Sequence, residues 1–295
     1  MYPEDRTIRR FLSTAPFSKS LVEQIRKLHP YSMLSDEEVY FLDNFCWSLP
    51  DPVRVAELGA YIGGTTSIFG AGTPSGSQIE VYDLFEHNPA SRSRLKDDPL
   101  FEENSFFPIW ERNTKRYRDK LIIRRGDVLE TAKQSREPLD VLYIDIVKHP
   151  SLINVMLEFY QRLKVGGILM HQDYFHWQSP WIVYQMEHLL DHFDLIGDVG
   201  LNMTVYRKKR EIPAENVDFL SFDIEQVTSL FDKAIARYGH SKAGMLRVSK
   251  LRLIIGTDKK REAELVKEVE ETHGESPRVM RYLNELKKLD PARMW

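Results

Sequence analysis

Residues 53–66 read Val53-Arg54-Val55-Ala56-Glu57-Leu58-Gly59-Ala60-Tyr61-Ile62-Gly63-Gly64-Thr65-Thr66. An apolar run with an acid near its end passes into a glycine-rich turn, and the turn opens a helical stretch. Glycine lets the backbone approach a neighbour or a ligand closely, and the helix N-terminus offers unpaired N–H groups. Two nucleotide-binding loops fail at this turn. A dinucleotide fingerprint needs glycine where Tyr61 stands, and a P-loop needs lysine where Thr65 stands. What remains is Glu-x-Gly-x-x-x-Gly, set by Glu57, Gly59 and Gly63. Packing alone also asks for glycine in such a turn.

The same alternation continues on the C-terminal side. Apolar runs at 53–58, 78–83, 120–125, 141–145 and 168–171, with a last one at 199–207, are separated by helix-like stretches at 65–70, 91–95, 150–163 and 180–193. This order predicts an α/β fold: a Rossmann-like, doubly wound, mainly parallel sheet with helices on both faces. Such sheets bind ligands beyond the carboxyl ends of their strands. Before it, helices are expected at 18–28 and after Ser35, where Glu38 gives capping-box spacing and Val39, Leu42 and Phe45 share a face. Pro50 and Pro52 close that zone. After it, charge-rich helical stretches at 223–238, 243–255, 258–272 and 277–286 are punctuated by Gly239, Gly256 and Gly274. The expected organisation is an N-terminal helical cap over 1–50, a ligand-binding domain over 51–210 and a C-terminal helical module over 211–295.

The chain of 295 residues is 42% hydrophobic and 29% charged, enough for a sizeable core. Forty-one Lys and Arg against 44 Asp and Glu leave a net charge of −3, which argues against a broad phosphate-binding surface and hence against nucleic acid as a partner. The single cysteine, Cys46, excludes an internal disulfide framework and a four-cysteine zinc site, and fits a reducing compartment. The start, with charges of both signs and no apolar stretch after them, does not read as a secretory signal. No window approaches the roughly 20 apolar residues that span a bilayer. A cytoplasmic protein without a membrane partner is expected, with a homodimer as the default assembly.

Further motifs follow the later runs. Gln78-Ile79-Glu80-Val81-Tyr82-Asp83 ends in an acid 26 residues after Glu57, where a carboxylate can accept hydrogen bonds from ribose hydroxyls. Ile122-Ile123-Arg124-Arg125-Gly126-Asp127-Val128 ends in a Gly-Asp pair that also suits a tight turn and helix cap. Asp140-Val141-Leu142-Tyr143-Ile144-Asp145 ends in an acid again, followed by Ile146-Val147-Lys148. After a helical stretch comes Leu163-Lys164-Val165-Gly166-Gly167-Ile168-Leu169-Met170-His171-Gln172-Asp173-Tyr174.

In this order the motifs resemble those of class I S-adenosylmethionine (SAM) methyltransferases, over residues 31–207. The resemblance implies that Glu57, Gly59, Ala60, Tyr61 and Gly63 cradle the methionine end of SAM, that Asp83 holds its ribose, and that Gly126, Asp127 and Val128 line its adenine, with Asp145 also at the cofactor. With Tyr31-Ser32-Met33-Leu34-Ser35 ahead of the glycine turn, the chain is most similar to metal-dependent small-molecule O-methyltransferases, of the macrocin-type sugar and catechol-type groups. Those enzymes hold a divalent cation at positions matching Asp145, Gln172 and Asp173. Oxygen ligands suit Mg²⁺, but Gln172 removes one negative charge, which leaves a weakened site or none.

Lys148 matches the catechol-type lysine that takes the acceptor's proton, and a nearby cation would make it a better base. A solvated lysine at a helix start is the plain alternative. The sugar-type acid two positions after the first ligand is Val147 here, which counts against that mechanism without removing it. His149, His171 and His176 are the other titratable candidates, His171 and His176 as catalytic groups. The aromatic run Tyr174, Phe175, Trp177 and Trp181 can wall a substrate pocket or pack against helices. The function implied is transfer of methyl from SAM to oxygen of a small polar acceptor (a sugar, phenol or other hydroxyl compound). The alternatives are a catalytically reduced SAM-fold binding module and a metal-independent N- or carboxyl-methyltransferase.

Overall fold

The computed structural model describes residues 2–13, 19–146, 150–213 and 217–289. In chain order its elements are α1 (Asp5–Ser13), α2 (Lys19–Leu28), α3 (Asp36–Trp47), β1 (Arg54–Leu58), α4 (Gly64–Gly72), β2 (Gln78–Asp83), α5 (Pro89–Leu95), α6 (Phe107–Thr114), β3 (Leu121–Arg125), α7 (Val128–Thr131), β4 (Leu139–Ile144), α8 (Ile153–Arg162), β5 (Leu163–His171), α9 (Pro180–His188), β6 (Phe193–Val199), β7 (Met203–Lys208), α10 (Ile224–Arg237), α11 (His240–Ile254), α12 (Lys259–His273) and α13 (Pro277–Lys287). None of the described helices is long and apolar enough to cross a membrane.

The strands form one sheet in the order β3-β2-β1-β4-β5-β7-β6. Every pairing from β3 to β5 is parallel, and β7 runs antiparallel to β5. This is the Rossmann-like sheet, with its topological switch between β1 and β4. Register explains how the faces divide. Glu57 stands opposite Val81 on one side and Tyr143 on the other, and Tyr143 stands opposite Met170. That face packs on α3 and α4, through Val39, Phe41, Phe45, Ile68 and Phe69. The residues between them face the other way: Tyr82 meets Phe159 of α8 edge-on at 5.0 Å. Helices therefore cover both faces.

The chain groups into two compact units. The first, Met1–Ile146, Glu158–Gln172 and Asp194–Ile212, holds the sheet. Its N-terminus is tied down by Arg207, whose guanidinium donates to Asp5 (2.6 Å), Gly166 O (2.7 Å) and Pro3 O (2.5 Å). The second consists of Val147–Leu157, Asp173–Phe193 and Pro213–Trp295. In it α9 packs on α10 and α11, and a salt bridge joins Arg237 to Glu187. Because α9 shares a core with the C-terminal helices, a chain ending near residue 211 would strip α9 of its cover.

Three local expectations are corrected. The run at 199–207 is two strands, since Gly200 (φ +55°) and Asn202 sit in a turn between β6 and β7. The strand expected at 168–171 begins earlier, at Leu163, because an irregularity around Gly166 lets β5 rejoin β4. Helix α6 had no counterpart in the sequence reading; Pro108 in its first turn is a helix-initiating signal. Ser18, the expected first residue of the helix that forms as α2, lies outside the described residues.

Candidate functional site

At the switch point the chain leaves β1 and β4 side by side, and Asp145 N–H donates to Leu58 O at 2.7 Å. Gly59 (φ +87°) turns against that junction so tightly that a Cβ would lie 2.3 Å from Asp145 O. A Cβ on Gly63 would lie 2.6 Å from Thr114 Cγ2, and one on Gly64 would lie 2.4 Å from Ser32 Cα. All three glycines are thus required by the protein's own packing. Tyr61, where a dinucleotide loop has glycine, takes φ +46° and sets its ring edge-on to Phe106 at 5.4 Å.

Asp83 organises the turn from the neighbouring strand. Its Oδ2 accepts from Ala60 N (2.7 Å) and Tyr61 N (3.0 Å), and its Oδ1 accepts from Phe85 N (2.7 Å). Burial raises its pKa, and those three N–H groups oppose the rise. A carboxylate offers about four lone pairs, so this one keeps room for a single further donor, not for two hydroxyls. Leu84, directly after it, is 50% exposed.

Glu57 is fully buried. Thr66 Oγ1 donates to its Oε2 at 2.6 Å, while Oε1 has no hydrogen-bond partner. Burial first, then the charges of Asp83 and Asp145, push its pKa up to about 8 against the Thr66 hydrogen bond. Burial thus favours the neutral carboxyl at pH 7. Helix α6 secures the surroundings: Trp110 Nε1 donates to Thr66 Oγ1 (3.3 Å), and Asn113 Nδ2 donates to Ile62 O (2.8 Å). Sequence reading missed both residues along with their helix.

The adenine-side candidates are closer to the plain reading. Asp127 is exposed and caps α7, accepting from Leu129 N at 2.9 Å. Gly126 N donates to Asp83 O at 2.9 Å, which brings this turn beside the strand-end acid, and Val128 is buried.

His171 and Gln172 are consecutive and serve opposite faces of the sheet. His171 is fully buried, with Nε2 at 2.7 Å from Tyr160 OH. Gln172 is buried beside Glu38 of α3, and its amide is among the hydrogen bonds that oppose the burial-driven rise of the Glu38 pKa. Glu38, a helix-capping residue in the sequence reading, is thus a buried acid at the carboxyl edge. Tyr143 is pushed well up by burial and by Asp145, Glu38 and Glu57, in that order. In the second unit, His176 stacks on Trp177 (5.9 Å) and meets Tyr282 edge-on (4.8 Å), and Asp173 takes φ +57°. Lys148, Val147 and His149 lie outside the described residues. Among the described residues no group of three or more His, Cys, Asp and Glu could hold a metal ion.

No family model matches this chain, and no curated protein does. Solved structures are similar in fold. The SAH-bound methyltransferase PaMTH1 of Podospora anserina is 16% identical, with 71% of this chain and 99% of that chain covered and a TM-score of 0.47. Cofactor-bound Rv0187 from MTB is 14% identical, with 72% and 100% covered and a TM-score of 0.48. The O-methyltransferase TomG from Streptomyces achromogenes, in complex with SAM, is 13% identical, with 71% and 100% covered and a TM-score of 0.47. Likenesses this loose carry no argument about activity.

Proposed function

We propose that this protein is a SAM-dependent methyltransferase acting on an oxygen of a small polar acceptor. The observation that carries the reading is Glu57: a buried carboxyl at the head of the glycine turn, at the switch point of the sheet, with one oxygen unpartnered. A buried polar atom without a partner is costly, and an ammonium group would satisfy it. The methionine end of SAM carries such an ammonium. Asp83 would accept one ribose hydroxyl on Oδ1, and Leu84 would lie against the adenine. These residues fit the cofactor.

SAM supplies a methyl group on a sulfonium, ready for in-line displacement by the acceptor oxygen. The chain's work is to bind, orient and remove one proton. The resemblance gives the proton to Lys148 Nζ. His171 is committed to Tyr160, so His176 is the next base to vary. For Mg²⁺, the Gln172 amide donates to Glu38 and leaves a neutral Oε1, without a hydrogen-bond partner, where an acid would hold the cation more strongly. Turnover should accordingly survive EDTA; loss of activity that added Mg²⁺ restores would reinstate the metal. SAM binding without turnover on any hydroxyl acceptor would favour a binding module instead.

The cofactor reading is tested by proton linkage. Burial favours the neutral Glu57 carboxyl in the free protein at pH 7, and an ammonium beside it favours the ionised form, so SAM binding should release a proton. Affinity should strengthen between pH 6 and 7.5, by up to about tenfold per unit. Glu57→Gln should bind more weakly and flatten that slope. The same shift has a stability consequence: because the folded pKa is raised, the contribution of Glu57 is fully present below its ordinary value and is lost as pH rises through about 8. Calorimetry in two buffers of different ionisation enthalpy measures the proton. A flat profile in the wild type removes Glu57 from the site.

A further inference from the structure

Arg252 of α11 is half-buried among aromatic rings, without an acid. Its guanidinium lies over Trp181 at 4.8 Å and over Trp177 at 5.5 Å. Its one hydrogen bond among the described residues is from Nη1 to Gln178 O at 3.1 Å. Nε is buried and has no acceptor. The nearby carboxylate of Glu285 is engaged elsewhere, accepting from Trp177 Nε1 at 3.1 Å and standing 3.8 Å from Arg281. Burial alone lowers the Arg252 pKa, and no negative charge opposes it. A desolvated cation without a counter-charge is unfavourable, and the indoles compensate it only in part.

The geometry also restricts what can complete the site. The two rings lie beside the guanidinium carbon, Nη1 donates to Gln178 O, and Nη2 and Nε have no acceptor among the described residues. Those donors match the two oxygens of a carboxylate or phosphate, which an arginine grips side by side. We propose that Arg252, framed by Trp177 and Trp181, is an oxyanion-binding site, taking the carboxylate or phosphate group of a small ligand. The site lies wholly in the second unit and does not depend on the SAM reading.

The test uses the full-length protein and two probes, inorganic phosphate and acetate, titrated at constant ionic strength against chloride. Both tryptophans flank the charge, so a bound oxyanion should change their emission. The expected result is a saturable change in tryptophan emission at millimolar probe, at least tenfold weaker in affinity in Arg252→Met. Arg252→Lys keeps the charge over the rings, so it guards against a folding defect; it should retain the fold and lose most of the affinity, because it lacks the fork. Response to phosphate alone, acetate alone or both supports the site and names the ligand group. A change that chloride reproduces, no saturable change in the wild type, or an unaltered response in Arg252→Met overturns it.

Discussion

Gly59→Ala should leave this protein unfolded or barely stable. The Cβ would lie 2.3 Å from Asp145 O and 2.6 Å from Asp145 C, both backbone atoms at the end of a central strand, with no side chain to swing aside. The left-handed conformation at φ +87° adds about 1–2 kcal/mol for any residue with a Cβ. Forcing the strand ends apart adds roughly 1–3 kcal/mol or more. Together these come to about 2–5 kcal/mol or more, enough to exhaust a domain at the low end of the ~5–15 kcal/mol usually available. Gly76 supplies the control. It has nearly the same φ (+84°), but a Cβ there would meet only Pro52, at 3.6 Å. Gly76→Ala should therefore cost only the conformational part. Urea midpoints measure both; equal losses would mean that the close approach of β1 and β4 is not what selects glycine at 59. Lost SAM binding in Gly59→Ala would be uninformative, since the substitution damages the sheet before it reaches any ligand.

The stretch from Val53 to Thr66 made the sheet legible because its signal is local: an apolar run, an acid, a glycine turn and a helix start lie within fourteen residues. Asp83 was legible as a strand-end acid for the same reason. What it does in the fold was not. The amides of Ala60 and Tyr61 reach it only because β2 lies beside β1, a fact of tertiary pairing. Glu38 and Gln172 show the same limit: one reads as a helix cap and the other as a strand-end polar residue, and only the packing of α3 over the sheet joins them. Helix α6 escaped because Phe107-Pro108-Ile109-Trp110 is short and has little helical period. Yet Trp110 and Asn113 reach Thr66 and the glycine turn from it. The glycines at 59, 63 and 64 were legible as a motif, while their steric reason lay in Asp145, Thr114 and Ser32, which sequence spacing cannot place.

Asp83→Ala should lose both SAM affinity and stability, and the two losses can be separated. Removing the carboxylate orphans the N–H groups of Ala60, Tyr61 and Phe85 at once. Each costs about 1–3 kcal/mol if water cannot reach it, about 3–9 kcal/mol for the three, and opening of the loop to solvent should bring the loss down to ~2–5 kcal/mol. The ribose would lose its acceptor on top of a disordered turn, and SAM affinity should fall by at least about a hundredfold if a charged hydrogen bond worth ~1.5–3 kcal/mol goes together with the loop's order. Asp83→Asn divides these effects. Its one carbonyl oxygen can keep the Ala60 and Tyr61 donors, so the turn should stay ordered and most stability return. The amide then faces Phe85 N–H and the ribose with donors, where an acceptor stood. Stability near wild type with SAM affinity still reduced about tenfold or more would place the ribose on Oδ1. If Asp83→Asn restores both stability and affinity, Asp83 serves only to order the turn, and the cofactor's hydroxyls must be held by another group.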